Sequence, residues 1–272
     1  MFAPERHKLI LEHLRQHEAA TLRELARLTG SSEVTTRRDL RTLEGEGRLN
    51  RRHGGAALQP GPAQEPTYAA KARVAAAEKA SIAEAAAALV QPGDAIVIGP
   101  GTTTRALARR LANHRDLVVV TNSLLVAEAL IDAPAVEVHV TGGTLRASIH
   151  ALVGPEAEQG LSGYRTVRAF ISGNGVTAER GLTTPNPLVA SADRALAAAA
   201  REVVVLADST KIGQDTMCQT IPADAMTHLI VDVGADPGEL DRLRGVGVRV
   251  QVVTPAPAPV ADVVDWLRPV DA

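Results

Sequence analysis

Two structural classes are legible along these 272 residues. A small helical head ending in a glycine-rich hairpin comes first, and an α/β body on a mostly parallel sheet follows. Three observations carry this division. Residues 1–45 hold helical stretches separated by capping and glycine signals. From residue 78 short apolar runs alternate with helical segments, the pattern of strands joined by crossover helices. Charge divides along the same line: residues 1–57 carry 11 Lys and Arg against 8 Asp and Glu, and residues 58–272 carry 18 against 23. A basic head on an acidic body points to a polyanionic partner at the head alone.

In the head, Pro4 suits a first helical turn, and Leu9, Ile10 and Leu14 form an apolar stripe to about His17. Thr21 followed by Glu24 has the form of a capping box. It opens a second helix with Leu25 and Leu28 expected to face inward, and Thr29-Gly30 stops it. Ser31 or Ser32 caps a third helix whose Thr36, Leu40 and Leu43 give an inward face. Two short helices joined by a glycine-containing turn have the outline of a helix-turn-helix. Residues 47–56 then read as a hairpin with a double glycine at its tip, a wing along the phosphate backbone.

The third helix and the wing concentrate cations: residues 35–55 contain six arginines and one histidine. The first turns of a recognition helix meet base edges, where arginine matches guanine bidentately and hydroxyls suit phosphates. Ser32, Thr35, Arg37, Arg38 and Arg41 on the helix, with Arg51, Arg52 and His53 on the wing, are therefore the expected DNA-binding residues. The competing reading is a solvated face in which Glu33 pairs with Arg37 and Asp39 with Arg38. The ordered sequence of capping box, glycine turn, second cap and basic hairpin favours double-stranded DNA. Aromatic content of 2% argues against a base-stacking single-strand binder.

Residues 58–77, with Pro60, Pro62 and Pro66, read as a tether that turns helical toward Glu78. In the body, strands are expected at 95–98, 117–121, 136–141, 169–172, 202–207, 228–233 and 248–253. Helices are expected at 78–90, 103–113, 123–131, 155–161, 188–200 and 237–244. Domain limits follow: 1–57 for DNA binding, 58–77 for the linker, 78–254 for the α/β body, 255–272 for a tail.

Ligands of such sheets bind beyond the carboxyl ends of the strands. There, Gly101, Thr102, Thr103 and Thr104 follow a strand and open a helix. Taken by itself this stretch reads equally as a phosphate cradle or as an ordinary capped turn, and it is no Walker A loop. Asn122, Asn174, Asp208 and Lys211 stand after three other strands. Lys211 suits a phosphate, and Asn122 and Asp208 suit sugar hydroxyls.

Those residues carry a resemblance. Ser32-x-x-Thr35-x-Arg37-Arg38-Asp39-Leu40, followed by Leu43-Glu44 and residues 52–56, resembles the N-terminal signature of DeoR-family bacterial regulators. Glu78-Lys79, Gly101 to Thr104, Thr121-Asn122-Ser123, Gly142-Gly143, Gly181 to Thr184 and Asp208-Ser209-x-Lys211-x-Gly213 resemble that family's sensor domain. The resemblance implies a winged helix-turn-helix that binds an operator, usually as a repressor of sugar catabolism. It also implies a sensor similar in fold to ribose-5-phosphate isomerase, with a phosphorylated sugar or sugar alcohol as effector bound at 101–104. Departures stand at Thr36 (isoleucine in the family) and at Gly99, Ser172, Asn174 and Val189. Three of these replace carboxylates near the sugar site, which bears on which effector is bound.

The alternative is a sugar-phosphate isomerase with an appended DNA-binding domain. Aldose–ketose isomerisation needs a base, normally a carboxylate; the expected slots hold Gly99 and Asn174, leaving Asp208. A non-enzyme is therefore expected, without cofactor or metal. The lone Cys218 has no matched Cys or His spacing and reads as an incidental thiol. No leader or membrane span is expected, which fits a cytoplasmic homo-oligomer, dimer or tetramer, reading two half-sites.

Overall fold

A computed structural model describes residues 2–17, 19–45, 48–52, 55–58 and 65–255. The chain divides into two compact units at Lys71/Ala72, inside the segment expected as a tether.

The first unit contains α1 (Ala3–His17), β1 (Ala19–Thr21), α2 (Leu22–Thr29), α3 (Glu33–Gly45), β2 (Leu49–Arg52) and β3 (Gly55–Leu58). Its core is Ile10, Leu11, Leu14, Leu25, Leu40, Leu43, Leu49 and Ala56, drawn from all three helices and the hairpin. Each fully buried leucine or isoleucine is worth about 2 kcal/mol. Two inward assignments need correction. Leu28 is 37% exposed, and the residues turned inward beside Leu25 are Ala26 and Thr29. Leu9 is half-buried, and Leu11 takes its place in the core. Strand β1 was not anticipated. It pairs antiparallel with β3 at Ala19–Ala57, Ala20–Ala56 and Thr21–Gly55, making the hairpin a three-stranded sheet in the order β1-β3-β2. Gly55 is required there: an added Cβ would lie 2.2 Å from the Ala20 carbonyl oxygen.

The second unit opens with α4 (Tyr68–Ala72), which crosses the division, and α5 (Ala76–Ala87), then β4 (Ala95–Ile98), α6 (Thr102–Leu111), β5 (Leu117–Thr121), α7 (Leu124–Leu130) and β6 (Val136–Val140). A hairpin β7 (Thr144–Arg146) and β8 (Ala151–Val153) leads to α8 (Pro155–Gln159) and β9 (Thr166–Ile171). Then come β10 (Gly175–Thr177), β11 (Gly181–Thr184), α9 (Pro187–Ala198), β12 (Ala200–Leu206), β13 (Cys218–Ile221), β14 (His228–Asp232), α10 (Pro237–Gly245) and β15 (Arg249–Val253). Seven strands form one parallel sheet in the order β15-β14-β12-β9-β4-β5-β6. The expected strands and helices of the body are all present, with ends displaced by a few residues.

Strand alternation sends successive side chains to opposite faces. Ile96, Ile98, Val119, Phe170, Val204 and Leu206 pack under α5, α6 and α7. Val97, Val120, Ala169, Ile171 and Val205 pack under α9 and α10 through Leu196, Leu240 and Leu243. The β7–β8 hairpin and a small antiparallel sheet, β10-β11-β13, are additions. Strands of three or four residues carry too little alternation to be read from sequence. The order matters for function. From β4 the chain winds outward through β5 and β6, then returns to β9 on the other side of β4. In open α/β sheets such a reversal is where ligands bind, beyond the carboxyl ends of the strands, here those of β4 and β9.

Candidate DNA interface and ligand site

The helix-turn-helix is locked by its own polar groups. Thr21 Oγ1 accepts from the Glu24 N–H at 3.3 Å, and Glu24 Oε2 accepts from the Thr21 N–H at 2.7 Å, which completes the capping box of α2. Those backbone and hydroxyl hydrogen bonds hold the Glu24 carboxyl below its ordinary value. Gly30, at φ 61°, ends α2 in the left-handed region. A chain of hydroxyls then crosses the turn: Thr29 Oγ1 donates to Leu25 O at 2.8 Å, contacts Ser31 Oγ at 2.8 Å, and Ser31 Oγ contacts Thr36 Oγ1 at 2.9 Å. Thr36 Oγ1 also donates to Ser32 O at 3.1 Å. Thr36 is thus a buried hydroxyl with partners, where an isoleucine would offer only apolar area. Of the two candidate caps, Ser32 serves α3, its Oγ accepting from the Thr35 N–H at 3.2 Å.

Asp39 fixes the roll of α3. Its carboxylate is buried against α1, with Arg6 Nε at 2.7 Å, Arg6 Nη2 at 2.9 Å and His7 Nε2 at 3.3 Å. Burial alone would raise this carboxyl, but the Arg6 hydrogen bonds and charge, with His7 behind them, outweigh it and hold it below its ordinary value. The solvated-face alternative is thereby corrected: Asp39 pairs with Arg6, and Glu33 lies 3.4 Å from Arg23 Nε. Arg37, Arg38 and Arg41 are exposed, and their side chains have no ion-pair or hydrogen-bond partner among the described residues. Arg51 and Arg52 sit on β2, paired with Ala56 and Gly55 of β3. His53 lies outside the described residues.

In the second unit, the expected ligand residues follow β4, β5, β9 and β12, four neighbouring parallel strands whose carboxyl ends share one edge. Gly101 precedes α6 without any side-chain cap, as Ala75 and Gly154 precede α5 and α8, whereas α7, α9 and α10 are capped by Ser123, Asn186 and Asp236. Among the described residues the first N–H groups of α6 therefore have no side-chain acceptor. An added Cβ on Gly101 would stand 3.0 Å from Thr104 Oγ1 and 3.2 Å from Ser172 Cβ, so the β4 and β9 loops meet there. Thr103 and Thr104 are buried, and Thr104 Oγ1 donates to Gly101 O at 3.2 Å; Thr102 is half-buried.

Asn122 is buried, its Nδ2 donating to Leu152 O at 2.9 Å, and its Oδ1 accepts no hydrogen bond from the described residues. Asn174 Oδ1 accepts from Thr184 Oγ1 at 3.3 Å. Asp208 is also buried: it accepts from the Thr210 N–H at 3.2 Å, binds the Thr210 hydroxyl, and lies 3.8 Å from Lys79 Nζ. It caps the short 3-10 turn Ser209–Lys211 that presents the half-buried Lys211. Lys79 had no assigned role, although its spacing to Ile82 and Ala83 places it on the inward stripe of α5. Its ammonium also donates to Val74 O at 2.6 Å. Asp232, which no local motif marks, accepts from the Ser209 N–H at 2.6 Å and the Gly234 N–H at 3.0 Å, buttressing the same turn.

No helix among the described residues is long and apolar enough to cross a membrane. The profile of the DeoR-like helix-turn-helix domain matches residues 6–60, and that of the DeoR C-terminal sensor domain matches residues 74–233. A candidate aga operon transcriptional repressor of Escherichia coli O157:H7 is 36% identical over 251 residues, covering 92% of this chain and 93% of that one. The HTH-type transcriptional regulator GlpR of Haloferax volcanii is 33% identical over 250 residues, 92% and 98% of the two chains. The HTH-type transcriptional repressor GlcR of Bacillus subtilis is 31% identical over 252 residues, 93% and 97% of the two chains. Among solved structures, a ribose 5-phosphate isomerase A from Methanocaldococcus jannaschii aligns with 19% identity and a TM-score of 0.37, over 49% of this chain and 53% of its own. On the two domain matches and the near full-length relatives, the chain belongs to the DeoR family of DNA-binding transcriptional regulators.

Proposed function

We propose that this chain is a repressor of a sugar or sugar-alcohol operon, released from its operator by a phosphorylated effector bound at the carboxyl ends of β4, β5, β9 and β12. Relatives named as repressors support the direction of control. Residues 1–57 bind the duplex: Arg37, Arg38 and Arg41 enter the major groove, Ser32 and Thr35 meet phosphates at the helix start, and Arg51, Arg52 and His53 follow the backbone. Residues 58–77 tether this head to the sensor at 78–254; the expected tail, beyond residue 255, lies outside the described residues.

The observation that carries the effector reading is the N-terminus of α6, uncapped and placed where the strand order reverses. Unshared N–H groups and the positive end of the helix dipole favour a phosphate there. Lys211 adds charge, while Asn122 and Asn174 face the hydroxyls. Asp208 holds the turn that presents Lys211; with its oxygens given to Thr210 and Lys79, it is poorly placed to act as a base, which favours sensing over turnover. A homo-oligomer presents two heads to two half-sites, and the effector acts through its differential affinity for the operator-bound and released arrangements. The test is a panel of sugar phosphates added to a protein–operator complex, with the ligand assayed afterwards. Release with the ligand recovered intact supports the proposal. Consumption of the ligand favours the isomerase, and an operator complex indifferent to the whole panel contradicts the effector reading.

A further inference from the structure

Helix α3 carries two stripes at the same spacing. Thr36, Asp39, Leu40 and Leu43, at i, i+3, i+4 and i+7, are buried and hold the helix to the rest of the head. Two residues earlier the same spacing repeats as Val34, Arg37, Arg38 and Arg41, all exposed. The arginine stripe thus begins with a valine that is 74% exposed. Val34 belongs to no apolar cluster among the described residues. It follows Glu33 at the start of the helix, next to the Ser32 cap, where a hydroxyl, an amide or a second carboxylate would suit the first turn better. A β-branched side chain in the open also has weaker helix propensity than alanine or the long polar residues.

Apolar side chains do have a use at that position on a helix lying in the major groove. Thymine alone among the bases presents a methyl group there, and aliphatic side chains read it by contact. We propose that Val34 is a base-reading residue whose γ-methyl groups pack against the 5-methyl of a thymine in each half-site. This rests on the DNA-binding role of α3. The charge of Arg37, Arg38 and Arg41 supplies the attraction to the duplex and leaves the valine no solvent once the groove closes over it. The geometry also sets the spacing. Val34 stands one helical turn, roughly 5 Å, before Arg37 and Arg38, so its thymine falls about one to two base-pair steps from the base pair those arginines meet.

The experiment deletes the contact from either side. An operator is first selected from genomic fragments with the full-length protein, and each thymine in a half-site is replaced in turn by deoxyuridine, which removes only the 5-methyl. Val34→Ala removes the opposing methyls; Val34→Thr keeps the shape and replaces one methyl with a hydroxyl. The expected result is one thymine per half-site whose replacement weakens wild-type binding about fourfold, the scale of one buried methyl-sized group. Val34→Ala should weaken binding to the unmodified operator by a similar factor and be indifferent to deoxyuridine at that position, so that the two deletions are not additive. Val34→Thr should lie between. Additive losses, a wild-type protein insensitive to every deoxyuridine, or Val34→Ala binding as tightly as wild type each overturns the assignment. Failure of the wild type to bind any duplex would instead sink the DNA-binding role itself, so the two failures are distinguishable. Because Val34 is exposed and lies outside every apolar cluster among the described residues, its variants should melt no lower than the wild type by more than a small helix-propensity difference, and an undiminished melting temperature ties any loss to the groove.

Discussion

Replacing Arg37, Arg38 and Arg41 by alanine, one at a time, separates affinity from folding. All three side chains are exposed and have no ion-pair or hydrogen-bond partner among the described residues. Their removal therefore takes from the folded head only a helix-propensity difference, about 0.2 kcal/mol in alanine's favour. The melting temperature should stay put, and any lost affinity belongs to the interface. An arginine bidentate on guanine contributes about 1–3 kcal/mol, a loss on removal of about 5- to 150-fold, and its loss relaxes specificity at a single base pair. An arginine on a phosphate behaves differently: its loss weakens binding to every sequence alike and reduces the slope of log affinity against log salt by about 0.9. Fluorescence anisotropy with an operator duplex, its single-base variants and a salt series distinguishes the two roles. If all three variants kept wild-type affinity and wild-type salt slope, α3 would not be the recognition helix.

Other expectations concern the rest of the chain. Lys211→Ala should leave operator binding intact and blunt release by sugar phosphate; normal release would remove Lys211 from the site. Gly55→Ala places a Cβ 2.2 Å from Ala20 O and 2.9 Å from Thr21 Cα, so β1 and β3 must part; overpacking of this kind costs about 3 kcal/mol, and calorimetry should show the head melting early while the sensor transition is unchanged. Asp39 titrates below its ordinary value of 3.8. Its contribution to stability is therefore fully present above that value and is lost as pH falls through the lower, folded value. Acid unfolding of wild type should steepen below about pH 4, and Asp39→Asn should be less stable at neutral pH with a flatter acid limb.

The head was legible because its boundaries are written in local chemistry. The Thr21–Glu24 box, Gly30 and the Ser32 cap each act through neighbours in the chain, and the structure places them as the sequence suggested. Leu28 misled because helical spacing gives a face but not its width; α2 is short, and Ala26 and Thr29 fill the inward side. The ion pairs of α3 were not legible. Asp39 is adjacent to Arg38 in sequence yet bonds Arg6, 33 residues away, and nothing local distinguishes the two partners. The parallel sheet was readable from its long apolar runs, whereas strands such as β7 and β10, of three residues each, exist through pairing with β8 and β11 rather than through pattern. Among the ligand residues, the edge shared by β4, β5, β9 and β12 follows from alternation and handedness. The inward commitment of Asp208 required Lys79 from a helix far earlier in the chain, a pairing that only tertiary structure reveals.

The central claim is that one chain couples two sites, a duplex-binding head and a phosphate-binding sheet edge. Linkage tests it most directly, because coupling between binding equilibria is reciprocal. Calorimetric affinity for the releasing sugar phosphate should be measured on the free protein and on the protein saturated with operator. The account predicts weaker effector binding to the operator complex, by the same factor by which the effector weakens operator binding. Equal effector affinity in both states, alongside effector-driven release, would contradict it.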